Sequence, residues 1–297
     1  MSSSTIKIDI SSYRIKPDQA VSLQHFPTKA TMGTPSNFLI AQNKNRERIS
    51  QFQNKLYAEN RQSLLIILQG MDGSGKDSTI RHIMSGVNPQ GVQVHSFKHP
   101  SDLELSHDYL WRHYLKIPEQ GQIGIFNRSH YENVLISKVH PNYVLAERIP
   151  GVEKLSQIDS RFWKKRYDQI RSFEETIAET GTHILKFFLH LSKDEQKKRF
   201  LERIDKKDKH WKFSAADIEE RGYWKDYQKA YEKAFEKTST KINPWYIIPA
   251  DDKWFSQMLI SHIIIENLKD MKIKYPVADE EQEKRLLEAR ELLINEK

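Results

Sequence analysis

Residues 70–78 read GMDGSGKDS, a glycine-rich stretch with the spacing of a phosphate-binding loop, or P-loop. Gly70, Gly75 and Lys76 fit the pattern G-x-x-x-x-G-K, in which backbone N–H groups approach phosphate oxygens and the lysine contacts a phosphate. Asp77 follows where such loops carry the serine or threonine that contacts magnesium. The residues predicted to bind phosphate or nucleotide here are Gly70, Met71, Gly73, Ser74, Gly75, Asp77 and Ser78.

Carboxylates inside such a loop repel phosphate unless a divalent cation lies between them. We therefore predict that Asp72 is a ligand of Mg²⁺, which takes one or two carboxylates together with waters and substrate oxygens, with Mn²⁺ as the second candidate. A turn-stabilising role for Asp72 is the alternative. Asp77 falls in the first turn of the next helix, where its charge also interacts favourably with the helix dipole.

A second motif, IFNRSHYE at 125–132, follows an apolar run. P-loop enzymes place an aspartate at the end of such a strand, whereas Asn127 is neutral here. Arg128 is expected to neutralise charge on a transferring phosphoryl group, and Glu132 to supply a second metal-binding carboxylate. Alternatively, Ser129 and Glu132 cap a short helix. The predicted catalytic residues are Asp72, Lys76, Asn127, Arg128 and Glu132.

Apolar runs alternate with amphipathic stretches around these motifs. Strands are predicted at 63–70, 93–98, 122–127, 183–192 and 243–250, and the first of them has the composition of a strand buried on both faces. Helices are predicted at 36–60, with Leu39, Ile49 and Leu56 on the buried face, at 107–116, and from 159 or 160 to a point before 181. This alternation predicts a three-layer α/β sandwich with a parallel sheet. The expected divisions are an extended arm at 1–35, a P-loop domain at 36–275 and a charged helix at 276–297.

The composition narrows the classes of partner. There are 47 lysines and arginines against 40 aspartates and glutamates, a formal charge of +7, which favours a polyanionic partner. Cysteine is absent, which excludes disulfides and thiolate chemistry. No run reaches the roughly 20 apolar residues that a bilayer requires, and the first fifteen residues do not resemble a signal peptide. We expect a cytoplasmic protein with no membrane partner.

Six stretches, in this order, make the chain similar to the polyphosphate kinase family 2 proteins: GMDGSGKDST, FKHPSDLELSHDYLWR, IFNRSHYENVL, LKFFLHLSKDEQKKRFLER, HWKF and TSTKINPWYIIPADDKW. The similarity covers about residues 35–270. It implies a P-loop kinase fold like that of thymidylate kinase, with a helical lid. It also implies homo-oligomers, dimeric or tetrameric, and a magnesium-dependent transfer of the terminal phosphoryl group of inorganic polyphosphate to a nucleotide. FNRSHYE resembles the subclass that phosphorylates both AMP and ADP, whereas the usual subclasses carry FDRSWY.

The resemblance also implies that basic side chains line a channel for the polymer and that the lid covers the reacting phosphates. The lid is expected at about 193–230, with the cations Arg199, Arg203, Lys206 and Lys207. Arg199 and Arg203 are four residues apart and share a helix face, although Arg199 could equally form an ordinary ion pair with Glu195. Lys98 and Arg112 are further candidates for phosphate contacts, unless Arg112 only displays its charge on a helix surface.

The function that the resemblance implies, together with these residues, is a polyphosphate:nucleotide phosphotransferase acting by direct in-line transfer to AMP or ADP, and to guanine nucleotides. An ATP-dependent nucleoside monophosphate kinase is the first alternative, and the choice of phosphoryl donor distinguishes the two. The second alternative is a module that binds polyanions or nucleic acid and carries an inactive P-loop. Such a module would still bind polyanions in a salt-sensitive way after Lys76→Ala and would show no turnover. The preferred function, by contrast, needs no nucleic-acid partner.

Overall fold

Five short segments form the central sheet, and all but the second of them are largely apolar. The computed structural model describes residues 8–296, the side chains of Asn37 and Lys212 excepted. The strands are β1 Ser63–Gln69, β2 Val92–Ser96, β3 Ile123–Asn127, β4 Thr182–His190 and β5 Trp245–Pro249. The helices are α1 Pro35–Glu59, α2 Lys76–Ile83, α3 Asp102–Leu105, α4 Trp111–Tyr114, α5 Ile136–Val139, α6 Asn142–Ala146, α7 Ser160–Glu179, α8 Lys193–Asp205, α9 Ala215–Gly222, α10 Trp224–Thr238, α11 Lys253–Asp270 and α12 Glu280–Ile294.

The sheet has the strand order β2-β3-β1-β4-β5, and every neighbouring pair is parallel. Because parallel strands end at one edge of a sheet, the segments that follow β1, β2, β3 and β4 meet there. These segments contain the P-loop, Lys98, Arg128 and the predicted lid. The predicted α/β class with a parallel sheet is confirmed, and the sheet brings the motifs of the sequence to one place.

Two apolar cores lie on opposite faces of the sheet. Strand β1 shows the alternation, since Leu64, Ile66 and Leu68 face one core while Leu65 and Ile67 face the other. Helices α1, α2 and α11 cover the first core, and α5, α7 and α10 cover the second. All seven residues of β1 are buried, as a central strand between two helical layers must be. This is the predicted three-layer sandwich.

Helix α1 packs on α11 through a partly polar face. Ile49 and Leu56 are fully buried as predicted. The prediction for Leu39 is wrong: its side chain is 58% exposed, and Phe38 occupies the buried position instead. The same face carries amides that bind α11, since Gln42 Nε2 donates to Trp254 O at 2.7 Å and Asn45 Nδ2 to Ser261 Oγ at 2.9 Å.

The segment 107–116 does not form the single helix that was predicted. The chain forms the short helices α3 and α4 instead, and α4 begins only at Trp111. The cause is local, because the Asp108 carboxylate accepts a hydrogen bond from Leu110 N–H at 2.9 Å. An aspartate that binds the backbone two residues ahead favours a turn over a helix. By contrast, α7 begins at Ser160 and ends at Glu179, as predicted.

The amino-terminal arm lies along the outer strand of the sheet. Ile15 N–H donates to Trp245 O at 2.9 Å, and Arg14 forms an antiparallel bridge with Tyr246, so the arm covers the free edge of β5. Residues 1–7 of the predicted arm lie outside the described residues. At the other end, α12 has no buried residue. Between residues 8 and 296, none of the helices combines the length and apolar character that a bilayer span requires.

Candidate active site

The P-loop joins β1 to α2 and has the backbone geometry of an anion site. Gly73 and Gly75 adopt φ angles of +79° and +100°, which side chains disfavour. A Cβ atom on Gly73 would also approach the ring of Phe200 to 3.2 Å. Gly75 is the N-cap of α2, and no side chain caps this helix. The first N–H groups of α2 are therefore available to an anion, which the helix dipole also favours.

Lys76 is folded back against the loop that carries it. Its side chain is buried, and Nζ donates to Gly70 O at 2.6 Å and, more weakly, to Met71 O at 3.4 Å. Burial lowers the pKa of Lys76, and the positive charge of Arg128 lowers it further, against the opposing effect of three nearby carboxylates. A phosphate oxygen could replace these carbonyls, because it offers the ammonium group a stronger, charged acceptor.

Two serines of the P-loop differ in their hydrogen bonds. Ser78 Oγ donates to Gly75 O at 2.8 Å, which stabilises the first turn of α2. Ser74 Oγ is buried and has no hydrogen-bond partner among the described residues. Such a hydroxyl normally costs free energy, so an acceptor supplied by a ligand would stabilise it.

Arg128 lies between the two carboxylates that were predicted to bind metal. Its Nη2 is 2.7 Å from Asp72 Oδ1, and its Nη1 is 3.8 Å from Glu132 Oε2. The negative charges of Glu132 and then of Asp72 raise the pKa of Arg128. Its φ angle is +63°, and its N–H donates to Leu68 O at 3.1 Å. The second motif thus contacts the P-loop through the side chain of Arg128, and the neighbouring strand β1 through its backbone.

The donor set at this point fits a magnesium ion that is held partly by substrate. Asp72 and Glu132 flank one guanidinium, so oxygen ligands lie on both sides of it. Across residues 8–296, no group of three or more histidine, aspartate or glutamate side chains forms a ready metal cage. Mg²⁺ commonly takes one or two carboxylates and completes its shell with waters and phosphate oxygens. The residues present are therefore of the right kind and number for such an ion.

Asn127 connects the end of β3 to the P-loop helix. Its Nδ2 donates to Asp77 Oδ1 at 2.7 Å and is 3.4 Å from Ser96 Oγ at the end of β2. An aspartate at position 127 would place a second carboxylate against Asp77, with repulsion in place of this hydrogen bond. The neutral amide therefore makes the contact between the two motifs favourable in the absence of a cation.

A cavity of about 210 Å³ opens beside Arg128 and Glu132. Its walls include the rings of Phe97, Tyr109 and Tyr143 and the cations Lys98 and Arg112. The guanidinium of Arg112 donates to Lys98 O at 2.9 Å and is 3.5 Å from the carboxylate of Glu104, so it also supports the wall. Aromatic faces with a few cations next to a phosphate site suit a nucleotide.

The geometry of Arg199 differs from the predicted contact with polyphosphate. The side chain is 6% exposed, and its guanidinium reaches acceptors on three segments. The bonds are Nε to Glu195 Oε1 (2.9 Å), Nη1 to Gly73 O (2.9 Å) and Ser74 O (3.1 Å), and Nη2 to Ala250 O (2.7 Å) and Asp251 O (2.8 Å). A guanidinium has five N–H groups, and all five are used here. Arg199 therefore binds two P-loop carbonyls and has no N–H group left for a phosphate in this arrangement.

The remaining lid cations lie farther along the chain. Arg203 Nη1 is 3.2 Å from Asp217 Oδ2, which connects α8 to α9. Lys206 and Lys207 follow α8 and are exposed. Helix α8 also contacts the loop through Gln196, whose Nε2 donates to Asp72 O at 2.8 Å. Gln196 and Arg199 thus both attach α8 to the P-loop.

Sequence reasoning missed a buried charged pair behind the second motif. Lys186 in β4 and Glu174 in α7 form an ion pair of 2.6 Å with side chains 0% and 1% exposed. The signal was present, because Lys186 interrupts an otherwise apolar strand and Glu174 follows the buried Phe173 on the apolar side of α7. A charged residue at such positions is buried only with a partner.

Comparisons with known proteins agree with this geometry. The family described as Polyphosphate kinase 2 (PPK2) matches residues 40–276. The chain is 47% identical over 291 residues to the ADP-polyphosphate phosphotransferase of Rhodopseudomonas palustris, covering 97% of this chain and 100% of that protein. It is 43% identical to the AMP/ADP-polyphosphate phosphotransferase of Meiothermus ruber, covering 93% and 99%. The fold resembles the crystal structure of Polyphosphate Kinase 2 from Arthrobacter aurescens TC1, with a TM-score of 0.83, 37% identity and coverage of 93% and 95%.

Proposed function

This chain belongs to the polyphosphate kinase 2 family, and we propose that it transfers the terminal phosphoryl group of inorganic polyphosphate to AMP or ADP. The position of Arg128 carries the proposal. The P-loop carboxylate of Asp72 lies on one side of its guanidinium, and Glu132 and the aromatic cavity lie on the other. Phosphates on the loop and a nucleotide in the cavity would meet at this cation. The relatives from Rhodopseudomonas palustris and Meiothermus ruber are named for ADP and for AMP and ADP as substrates.

The P-loop holds the donor phosphates in this proposal. The first N–H groups of α2 face the anion, and Lys76 exchanges the carbonyl of Gly70 for a phosphate oxygen. Arg199 keeps the carbonyls of Gly73 and Ser74 turned away, so that repulsion between these oxygens and phosphate is avoided. In this proposal the loop offers N–H donors to phosphate, while Arg199 binds the carbonyl oxygens that would repel it.

Transfer needs little covalent chemistry from the protein. A terminal phosphate oxygen of the nucleotide attacks the terminal phosphorus of the polymer, the bond from that phosphorus to the next bridging oxygen breaks, and the shortened chain leaves with the bonding electron pair. The attacking oxygen is already ionised near neutral pH, so no strong base is required, and the neutral Asn127 is compatible with the reaction. Arg128 neutralises charge on the non-bridging oxygens during transfer.

Asp72 and Glu132 are the residues that would hold a divalent cation, Mg²⁺ first and Mn²⁺ second. Such an ion supplies charge neutralisation at the phosphate oxygens. The same carboxylates bind Arg128 in the structure described here, so the arginine serves as their counterion. Phosphate oxygens then compete with these carboxylates for the guanidinium, which brings Arg128 to the reacting group.

The test is an assay that varies only the donor. Purified protein with AMP or ADP, magnesium and long-chain polyphosphate, in the absence of ATP, should form ADP or ATP, measured by chromatography. ATP replaces polyphosphate in a parallel reaction. Lys76→Ala should lower the polyphosphate-dependent rate by about a hundredfold or more, because a cation is lost from the phosphate site. Lys284→Ala, on the exposed helix α12, is the matched control and should retain full activity.

The outcome separates the candidate functions. Transfer from ATP to AMP without transfer from polyphosphate would establish the nucleoside monophosphate kinase instead. Salt-sensitive binding of polyphosphate that survives Lys76→Ala, with no product from either donor, would establish a binding module.

A further inference from the structure

The ion pair of Glu174 and Lys186, termed the buried pair below, has a complete set of hydrogen bonds. Lys186 Nζ donates to Glu174 Oε2 at 2.6 Å, to Thr238 O at 2.8 Å and to Tyr131 Oη at 2.9 Å. An ammonium group has three N–H bonds, and each has an acceptor here. Burial by itself raises the pKa of Glu174, but the adjacent Lys186 and His130 hold that pKa below its ordinary value, so the carboxylate remains ionised.

The buried pair is joined to the second motif by two consecutive residues. Glu174 Oε1 accepts from Tyr131 Oη at 2.7 Å and is 3.2 Å from His130 Nε2. These two residues begin the 3-10 helix His130–Val134, directly after Arg128 and Ser129. Both side chains are fully buried, so the network has no contact with bulk water. The Glu174 carboxylate thus holds the side chains of His130 and Tyr131, two and three residues after Arg128.

The backbone at Arg128 needs such support. Its φ angle of +63° is uncommon for a residue other than glycine and costs free energy. Relaxation of this residue would rotate its peptide groups and move the guanidinium away from Asp72, 2.7 Å distant. A displacement of about 1 Å at a reacting centre can cost about a hundredfold in rate. The conformation persists because the residues on both sides are held in place.

Stability alone gives a weak reason for a charged pair in this position. Removing two charges from water costs as much free energy as their attraction returns, and apolar residues of similar volume often stabilise a fold equally well. The pair connects α7, β4 and the last residue of α10, where apolar packing would also suffice. Charge-assisted hydrogen bonds differ from apolar contacts because they are directional. They can therefore fix the orientation of the side chains that follow β3.

We propose that Glu174 and Lys186 are positioning residues, which act through His130 and Tyr131 to hold Arg128 in the orientation that phosphoryl transfer requires. They do not touch substrate, since both side chains are enclosed by protein. This inference rests on the proposed function, because it concerns the same arginine and the same reaction.

The experiment neutralises both members of the pair together. Glu174→Gln with Lys186→Met keeps the volumes and leaves no unpaired charge, so we expect the thermal midpoint to change by no more than about 5 °C. We expect kcat with polyphosphate and AMP to fall by about ten- to a hundredfold, with both KM values within about twofold, because misplacement of Arg128 acts on the transition state. Tyr131→Phe removes only the shared hydroxyl and should lower kcat by about threefold to tenfold.

Two comparisons separate positioning from general stability. Thr182→Val removes the buried hydrogen bond that Ser63 Oγ donates to Thr182 Oγ1 at 3.0 Å. These residues begin β1 and β4, at the end of the strands away from the P-loop. The substitution should lower the thermal midpoint without changing kcat. In an Arg128→Ala background, the double substitution should produce no additional loss of kcat, since the pair acts through the missing arginine.

The inference is overturned if the folded double variant has the kcat of the wild type, or if its effect multiplies that of Arg128→Ala. If the double variant does not fold, an unchanged kcat in Tyr131→Phe overturns it, and a reduced kcat with unchanged KM supports it. A wild-type protein that transfers nothing from polyphosphate contradicts the proposed function instead, so the two failures can be distinguished.

Discussion

Asn127 and Asp77 meet at the edge of the sheet, and their hydrogen bond depends on one of them being an amide. The donor is Asn127 Nδ2 and the acceptor is Asp77 Oδ1, at 2.7 Å. Two carboxylates at this distance would repel each other, while two amides would lack the charged acceptor. The identities of these two residues are therefore coupled, although 50 positions separate them in the chain.

Asn127→Asp should destabilise the protein in buffer without divalent cations. We expect a loss of about 0.5–1 kcal/mol in the free energy of unfolding, kept small because the contact is exposed to solvent. Adding Asp77→Asn in the same chain exchanges donor and acceptor, and it should restore most of the loss. Denaturant unfolding of the three proteins measures both effects. A combined variant as unstable as Asn127→Asp alone would show that the direct contact is unimportant.

The glycines and Lys76 could be predicted from their spacing, because a P-loop is a continuous segment. The residues that determine its geometry are the nine consecutive residues 70–78. The partners of Arg199 could not be predicted in the same way. Glu195 is four residues away and was recognised as a possible partner, but the carbonyls of Gly73, Ser74, Ala250 and Asp251 come from two distant loops. Backbone carbonyls exist at every residue, and so they leave no sequence pattern.

At the scale of elements, α8 is bound to the rest of the site by Arg199. The guanidinium connects this helix to the P-loop and to the segment that follows β5. If α8 is the base of the predicted lid, that base is attached to the P-loop by Arg199. The proposal then assigns closure to the residues beyond Arg203.

Arg199→Lys tests this attachment. An ammonium group has three N–H bonds and one centre, so it leaves at least two of the five acceptors of Arg199 without their donor. We expect the free energy of unfolding to fall by about 2–4 kcal/mol and KM for polyphosphate to rise, measured by denaturant unfolding and steady-state kinetics. Arg203→Lys, which retains a cation near Asp217, is the control and should change stability by less than about 1 kcal/mol. A raised KM with unchanged stability would instead support a direct contact of Arg199 with phosphate.

Sequence patterns predicted the strands better than the helices, for a physical reason. Strands β1, β3, β4 and β5 are largely buried, so most of their residues are apolar and the signal is strong, whereas the edge strand β2 is only partly buried. Helix α1 buries three amides, Gln42, Asn45 and Gln53, on the same face as Phe38 and Ile49, which weakens its periodicity and led to the wrong placement of Leu39. The helix predicted at 107–116 begins later because of one side chain, Asp108, which accepts a hydrogen bond from the backbone N–H of Leu110. The residue types alone favour a helix through this point.

At the scale of the whole molecule, buried histidines connect stability to pH. Burial lowers the pKa of His130 and His190, and it places that of His113 well below the ordinary value of 6.5. The unfolded chain therefore binds protons that the folded protein does not accept. The contribution of these histidines to stability is complete above pH 6.5 and is lost as the pH falls below it, by up to about 1.4 kcal/mol per pH unit for each histidine.

His113→Asn should reduce this dependence. Asparagine retains a donor for Tyr109 O, 3.1 Å from His113 Nδ1, but it does not titrate. We expect the difference in unfolding free energy between pH 7 and pH 5.5 to become smaller by about 1 kcal/mol, whatever the variant loses overall. His25→Asn, at an exposed position, is the control and should leave the difference unchanged. Equal pH dependence in His113→Asn and wild type would contradict the assignment.

The division into arm, P-loop domain and terminal helix remains a proposal, as does the homo-oligomer. The exposed helix α12 presents Leu286, Leu287 and Leu293 to solvent, each at least 59% exposed. The two apolar cores, by contrast, bury Tyr13, Ile15 and Leu23 of the arm together with residues of α1 to α11. The arm thus contributes to the layers that bury the sheet.

The contact between the arm and β5 also sets an order for the newly synthesised chain. Arg14 and Ile15 are synthesised before the sheet, yet the backbone that they pair with belongs to Tyr246 and Trp245 in β5, its last strand. Until β5 has emerged and joined β4, Ile15 has no place to be buried, although it is completely enclosed in the folded protein. The arm is therefore made before the strand that it covers, and the nascent chain carries it unattached until β5 has been synthesised.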